Sequence, residues 1–183
     1  MQEKKYFEKL SVQLQEKYRT GIRELDRGKF EQATEIFTEL KEEVPDFVPL
    51  YNKLAVIAIY QKELDKAQQY LLTSLELDEQ FVPSLTNLGS LARENGELDK
   101  AKEYYTQAME IDPEYGPAYN NMGVILRQEG NIKDSIKYLK QSHRLAGKNS
   151  DELSNNNFFR EPGCYIPLII FVVVIIAIYL FLR

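Results

Sequence analysis

At 183 residues the chain has room for one moderate domain with appendages. Its net charge of −5 provides no basic field to neutralise phosphates, which argues against nucleic-acid binding. The single cysteine, Cys164, rules out a disulfide within the chain, and together with one histidine it leaves no ligand set for zinc. The opening MQEKKYFEKL lacks the apolar run of a secretory signal and is expected to remain in the mature protein.

Residues 3–27 carry an amphipathic stripe, with Phe7, Leu10, Leu14, Tyr18, Ile22 and Leu25 at spacings of three or four. This predicts one long helix or two abutting ones. Residues 1–13 are read as a helical extension that covers the end of the domain, with a relic half-repeat as the alternative. From residue 14 a unit of 34 residues recurs four times without insertion, at 14–47, 48–81, 82–115 and 116–149. Its most regular copy is VPSLTNLGSLARENGELDKAKEYYTQAMEIDPEY, Val82 to Tyr115.

The columns of the repeat explain its packing. Gly21, Ala55, Gly89 and Gly123 form one small-residue column, and Ala33, Ala67, Ala101 and Ser135 a second. A third is Leu40, Ser74, Ala108 and Ser142, in which Leu40 departs. Small side chains there let two helices cross at close approach. Phe37, Leu71, Tyr105 and Leu139 fill the space beside them. Gln15, Pro49, Pro83 and Pro117 stand at expected helix starts, where a missing N–H costs nothing. Gly28, Lys62, Gly96 and Gly130 stand where the first helix of each pair should end. Asp65 and Asp99 open second helices, where the dipole favours negative charge.

The periodicity fades at Ala146. Residues 148–163 read as a polar linker with at most one helical turn near Asp151, and as a coil the stretch from 146 would span roughly 24 Å. Residues 164–183 read as a transmembrane tail anchor. Ile166–Leu182, IPLIIFVVVIIAIYLFL, is uncharged over 17 residues, apolar on every face and long enough to cross a bilayer core. Its 14 Ile, Leu, Phe and Val residues favour insertion by roughly 4 to 8 kcal/mol. Ala177 is its only small residue, so it is expected to anchor rather than to pair with another helix. A single-pass protein with its repeat domain facing the cytosol is the expected arrangement. Cys164, just before the span, is either a palmitoylation site or a bare thiol.

The period of 34 and these columns resemble the tetratricopeptide repeat over residues 14–147. The resemblance implies an all-α fold: a right-handed superhelical solenoid of four helix–turn–helix units, followed here by one C-terminal transmembrane helix. It also implies that the first helices line a concave groove for a peptide or protein. By analogy that groove presents Asn52, Lys53, Val56 and Tyr60, then Asn87, Ser90 and Arg93, then Asn120, Asn121 and Arg127. Asn side chains both donate and accept, so they can pair with a ligand's peptide groups. Asn87 and Asn121 share a column that predicts an Asn ladder, and Arg93 and Arg127 share one suited to a carboxylate. The Lys and Asn pattern by which relatives clamp a chaperone's C-terminal carboxylate is not matched here.

No residue constellation points to catalysis. Gly-rich phosphate loops are absent, His143 reads as a surface or packing residue, and no cofactor or metal is expected. The function these features imply is that of a non-catalytic, membrane-tethered scaffold for protein–protein interaction, with protein or peptide and the lipid bilayer as partners. An accessory subunit or adaptor of a secretion, import or division apparatus is the alternative.

Overall fold

The computed structural model describes residues 2–155, which are all-α. Nine helices lie among them: α1 (Gln2–Phe7), α2 (Val12–Asp26), α3 (Phe30–Glu43), α4 (Val48–Tyr60) and α5 (Leu64–Leu77), then α6 (Val82–Glu94), α7 (Leu98–Ile111), α8 (Gly116–Gln128) and α9 (Ile132–Asn155). No helix among the described residues is long and apolar enough to cross a membrane. The expected span 166–182 and Cys164 lie outside the described residues.

Helices α2 to α9 form antiparallel pairs, with one pair to each 34-residue unit. Each first helix ends in the same way. At Gly28, Gly96 and Gly130 the backbone turns left-handed, with φ of 73°, 80° and 79°. Lys62 adopts the same turn at φ 61° without glycine's freedom. The following N–H reaches back to the last turn, as in Glu97 N to Ala92 O at 2.8 Å and Asn131 N to Leu126 O at 2.9 Å. These bonds satisfy carbonyls that the helix end would otherwise leave free. Pro49, Pro83 and Pro117 sit in the first turn of α4, α6 and α8.

The small-residue columns lie at the helix crossings. A Cβ on Gly21 would overlap the Phe37 ring, and one on Gly89 would stand 2.5 Å from Tyr105 Cε1. Where the column carries alanine, at Ala55, its counterpart at the Phe37 and Tyr105 position is the smaller Leu71, and both share one core cluster. Ala33, Ala67 and Ala101 are fully buried. Ser135 continues their column by donating its hydroxyl to Gly123 O at 2.7 Å.

At the ends of the domain the two-helix reading of residues 3–27 holds, as α1 and α2, while other expectations change. The stripe over residues 3–27 breaks at residues 8–11, where Ser11 accepts from Leu14 N at 3.3 Å and caps α2. Gln15 is not at a helix start; its amide donates to Phe7 O and Leu10 O and closes the turn between α1 and α2. The N-terminal extension is α1, whose Tyr6 and Phe7 pack against the first core cluster. It folds back onto the face formed by the first helices, where its side chains find partners on α4 and in the α5–α6 connection. The polar stretch expected as linker from 148 remains helical as far as Asn155.

Candidate functional site

The first helices α2, α4, α6 and α8 lie side by side, each one repeat from the next, so residues at one column recur along a common face. On α4, Asn52 is buried and Lys53 is half-buried. The Asn52 side-chain oxygen accepts from Asn87 Nδ2 at 2.8 Å and from Ser84 Oγ at 3.5 Å. The Ser84 and Ser74 hydroxyls share a hydrogen bond at 2.7 Å. On α8, Asn121 Nδ2 donates to Ser90 Oγ at 3.3 Å. Ser90 Oγ in turn donates to Thr86 O at 3.1 Å and shares a hydrogen bond with the Tyr105 hydroxyl at 3.2 Å.

The expected Asn ladder is therefore arranged differently. Asn87 and Asn121 do not bond each other; each ties its own helix to the preceding first helix. Buried amides need partners, and here the neighbouring helix supplies them. Asn120 is exposed and donates to the adjacent Asn121 at 3.4 Å. Tyr60 stands apart from this group, 65% exposed and stacked on Phe30 at a centroid distance of 5.1 Å. Val56 is half-buried on α4. Arg93 and Arg127 form no ion pair among the described residues. Burial pushes the Tyr105 hydroxyl up, and the Ser90 hydrogen bond and the Arg93 charge partly offset it.

Lys53 is occupied. Its Nζ lies 2.8 Å from Glu3 Oε1 of α1. Beside this pair is a cleft of about 280 Å³ lined by Glu3, Asn52, Lys53, Pro83, Asn87, Asp112 and Tyr115. That volume falls just below the ~300–1,000 Å³ of pockets for small ligands, so with α1 in place it accommodates side chains but not a helix. Burial, with Glu3 and Asp112 nearby, pushes the Tyr115 hydroxyl up to about 12. Tyr18 shifts further in the same direction from burial and Glu3. Its hydroxyl has no hydrogen-bond partner among the described residues.

The rest of α1 also meets partners on the domain. Tyr6 donates its hydroxyl to Asp78 Oδ2, and Lys5 Nζ lies 3.1 Å from the same oxygen. The Tyr6 ring meets Phe81 edge-on at 5.9 Å. Phe7 packs against Tyr18 at 6.1 Å, and the Arg19 guanidinium lies over the Phe7 ring at 4.8 Å. Glu3, Tyr6, Phe7, Asp78, Phe81 and Tyr115 are absent from the sequence-derived site. Ser11 was the available signal: a capping residue ahead of Leu14 separates two helices and frees the first to turn back.

Two models of the tetratricopeptide repeat family match, over residues 46–114 and 92–151. Similar solved structures include MamA, 22% identical over 75% of this chain and 81% of that one, with a TM-score of 0.60. TTC0263, a thermophilic TPR protein in Thermus thermophilus, is 19% identical over 72% of this chain and 74% of its own, at a TM-score of 0.65. Pseudomonas aeruginosa pilF is 21% identical, and the match spans 79% of this chain but 63% of that one, at 0.64. Likeness at these identities is likeness of fold. No curated protein matches the chain.

Proposed function

The chain belongs to the tetratricopeptide repeat family, and on that premise we propose that it is a non-catalytic scaffold, tethered to a membrane, that captures a protein or peptide on its first-helix face. Proteins of this family bind protein or peptide partners. The observation that carries the reading is that this face already holds a helical segment: Lys53, Asp78 and Phe81 receive Glu3 and Tyr6 of α1. The surface thus has the charge, the acceptor and the apolar contact that peptide capture requires.

Support for the tether is the composition of Ile166–Leu182, uncharged and dominated by Ile, Leu, Val and Phe. A repeat domain held near a bilayer meets partners at raised local concentration, so a modest affinity suffices. We place the repeats on the cytosolic side; they contain no cysteine and hold together without disulfides.

Photo-crosslinking from Val56 and Asn120 in native membranes tests the capture. The expected product is a discrete partner lost when Lys53 and Arg93 are replaced by alanine; an unchanged product refutes the face. Recovery of one partner in fixed stoichiometry after mild detergent would make the chain a subunit or adaptor of a membrane machine. Carbonate extraction tests the tether, and release of the protein into the soluble fraction refutes it. Protease added to sealed cytosol-facing-out vesicles should digest the repeats; their protection refutes the orientation.

A further inference from the structure

α1 sits on the first-helix face as a ligand would. Residues 3, 6, 7 and 10 are half-buried while residues 4, 5, 8 and 9 are exposed, which is the pattern of a helix with one face docked. Each docked side chain meets a different kind of group. The Glu3 carboxylate meets the Lys53 ammonium. Three residues on, the Tyr6 hydroxyl meets the Asp78 carboxylate and its ring meets Phe81. Four residues on, the Phe7 ring meets Tyr18 and Arg19. Residues at i, i+3 and i+4 share a helix face, so the site reads charge and aromaticity at fixed spacing.

We propose that α1 is the resident occupant of the capture site, and that the partner is a short helix repeating its pattern: a carboxylate followed three and four residues later by two aromatic rings. This rests on the capture reading above and names the ligand class. Such a partner must displace α1. α1 has six residues, too few to hold a helix by itself, so its structure depends on docking. Its ion pair with Lys53 is part-exposed, and such pairs contribute little. The Tyr18 hydroxyl, buried beneath it, gains no partner from it. The cleft beside Glu3 is also lined by Asn87, Asp112 and Tyr115, which offer a partner further polar contacts. Against this, the link to α2 spans only residues 8–11, which keeps α1 at a high effective concentration and suppresses weak ligands.

The test uses the full-length chain in mild detergent and a labelled peptide of residues 2–10 as the probe. An opened chain carries Glu3→Ala and Tyr6→Ala. The probe should bind it at least about tenfold more tightly than the wild type, whose site is filled. Adding Lys53→Glu should weaken the probe by about fivefold, and a probe carrying Glu3→Lys should restore binding. Equal affinity for wild-type and opened chains overturns the proposal. So does no binding to an opened chain of unchanged helical spectrum, or a loss that the charge-swapped probe does not restore. If the opened chain does not fold, saturating probe added to the wild type should move the Tyr6 ring resonances to undocked positions, and resonances that stay fixed overturn it. Crosslinking from Val56 separates the two readings. A partner captured equally by wild-type and opened chains sinks self-occupancy and leaves capture standing. Peptide binding as expected, with nothing captured by either chain, sinks capture and leaves the α1 site standing.

Discussion

Gly89 and Gly96 belong to one repeat and resist substitution for different reasons. A Cβ on Gly89 meets the Tyr105 ring at 2.5 Å, whereas one on Gly96 meets nothing within 4 Å but is strained by φ of 80°. Gly89→Ala should therefore cost about 1–3 kcal/mol through overpacking. Gly96→Ala should cost about 1–2 kcal/mol through its backbone. A Tyr105→Leu background separates the two causes, because it reproduces the Ala55 and Leu71 combination of the preceding repeat. There Gly89→Ala should lose most of its cost, while Gly96→Ala keeps all of its own. Urea unfolding of the three single and two double variants measures this, and a coupling energy near zero for Gly89 and Tyr105 would refute the packing account. Lys62→Gly is the converse case. Lys62 holds the same left-handed turn at φ 61°, so glycine should stabilise by up to about 1 kcal/mol.

At the scale of the element, α1 depends on Asp78. Burial pushes the Asp78 carboxyl up, but hydrogen bonds from Tyr6, Lys5 and the Gln80 N–H outweigh it and hold the group below its ordinary value of 3.8. A carboxyl lowered by its partners contributes docking energy above that ordinary value and loses it as the pH falls through the lowered one. α1 should accordingly stay docked at neutral pH and loosen below about 3.8. The Tyr6 ring resonances should report the release, and Asp78→Asn should abolish the acid step while weakening docking at neutral pH. An identical step in the variant would assign it to other carboxylates. This element also marks the limit of the sequence reading. The four helix pairs were legible because each crossing recurs every 34 residues, so Gly21, Ala55, Gly89 and Gly123 state one geometric fact four times. The docking of α1 is stated once, by residues 50 and 72 positions apart, Glu3 with Lys53 and Tyr6 with Asp78. No periodicity carries such a contact. The polar face was only partly legible for a related reason. The columns located Asn52, Asn87 and Asn121 on the correct face, but residue type alone did not show whether an amide serves a ligand or the next helix.

At the scale of the repeat domain, stacked repeats draw stability from their own helices and from the neighbours they touch, so a terminal repeat such as the first, with one neighbouring repeat, is expected to fray. α1 alters that expectation. Tyr6, Phe7 and Leu10 pack against the first core cluster, which holds Tyr18, Phe37, Leu40 and Phe47 of the first unit together with Leu50, Leu54 and Ile57 of α4. Tyr6 also reaches Asp78 and Phe81 at the boundary of the second and third units. The segment thus fastens the first unit to the second from the first-helix side. Its release should be felt unevenly along the chain. In the Glu3→Ala, Tyr6→Ala chain, amide hydrogen exchange should accelerate most in α2 and α3, less in α4, and little in α6 and α7. The urea transition should broaden as the first unit begins to open ahead of the rest. Uniform acceleration in all helices would mean that the domain opens as one body and that α1 is not the fastener of its first unit. No acceleration in α2 and α3 would mean that their packing stands without it. If the uneven pattern is found, a partner that displaces α1 must also supply the contacts that α1 gives up. Capture and the stability of the first unit would then be set by the same few side chains.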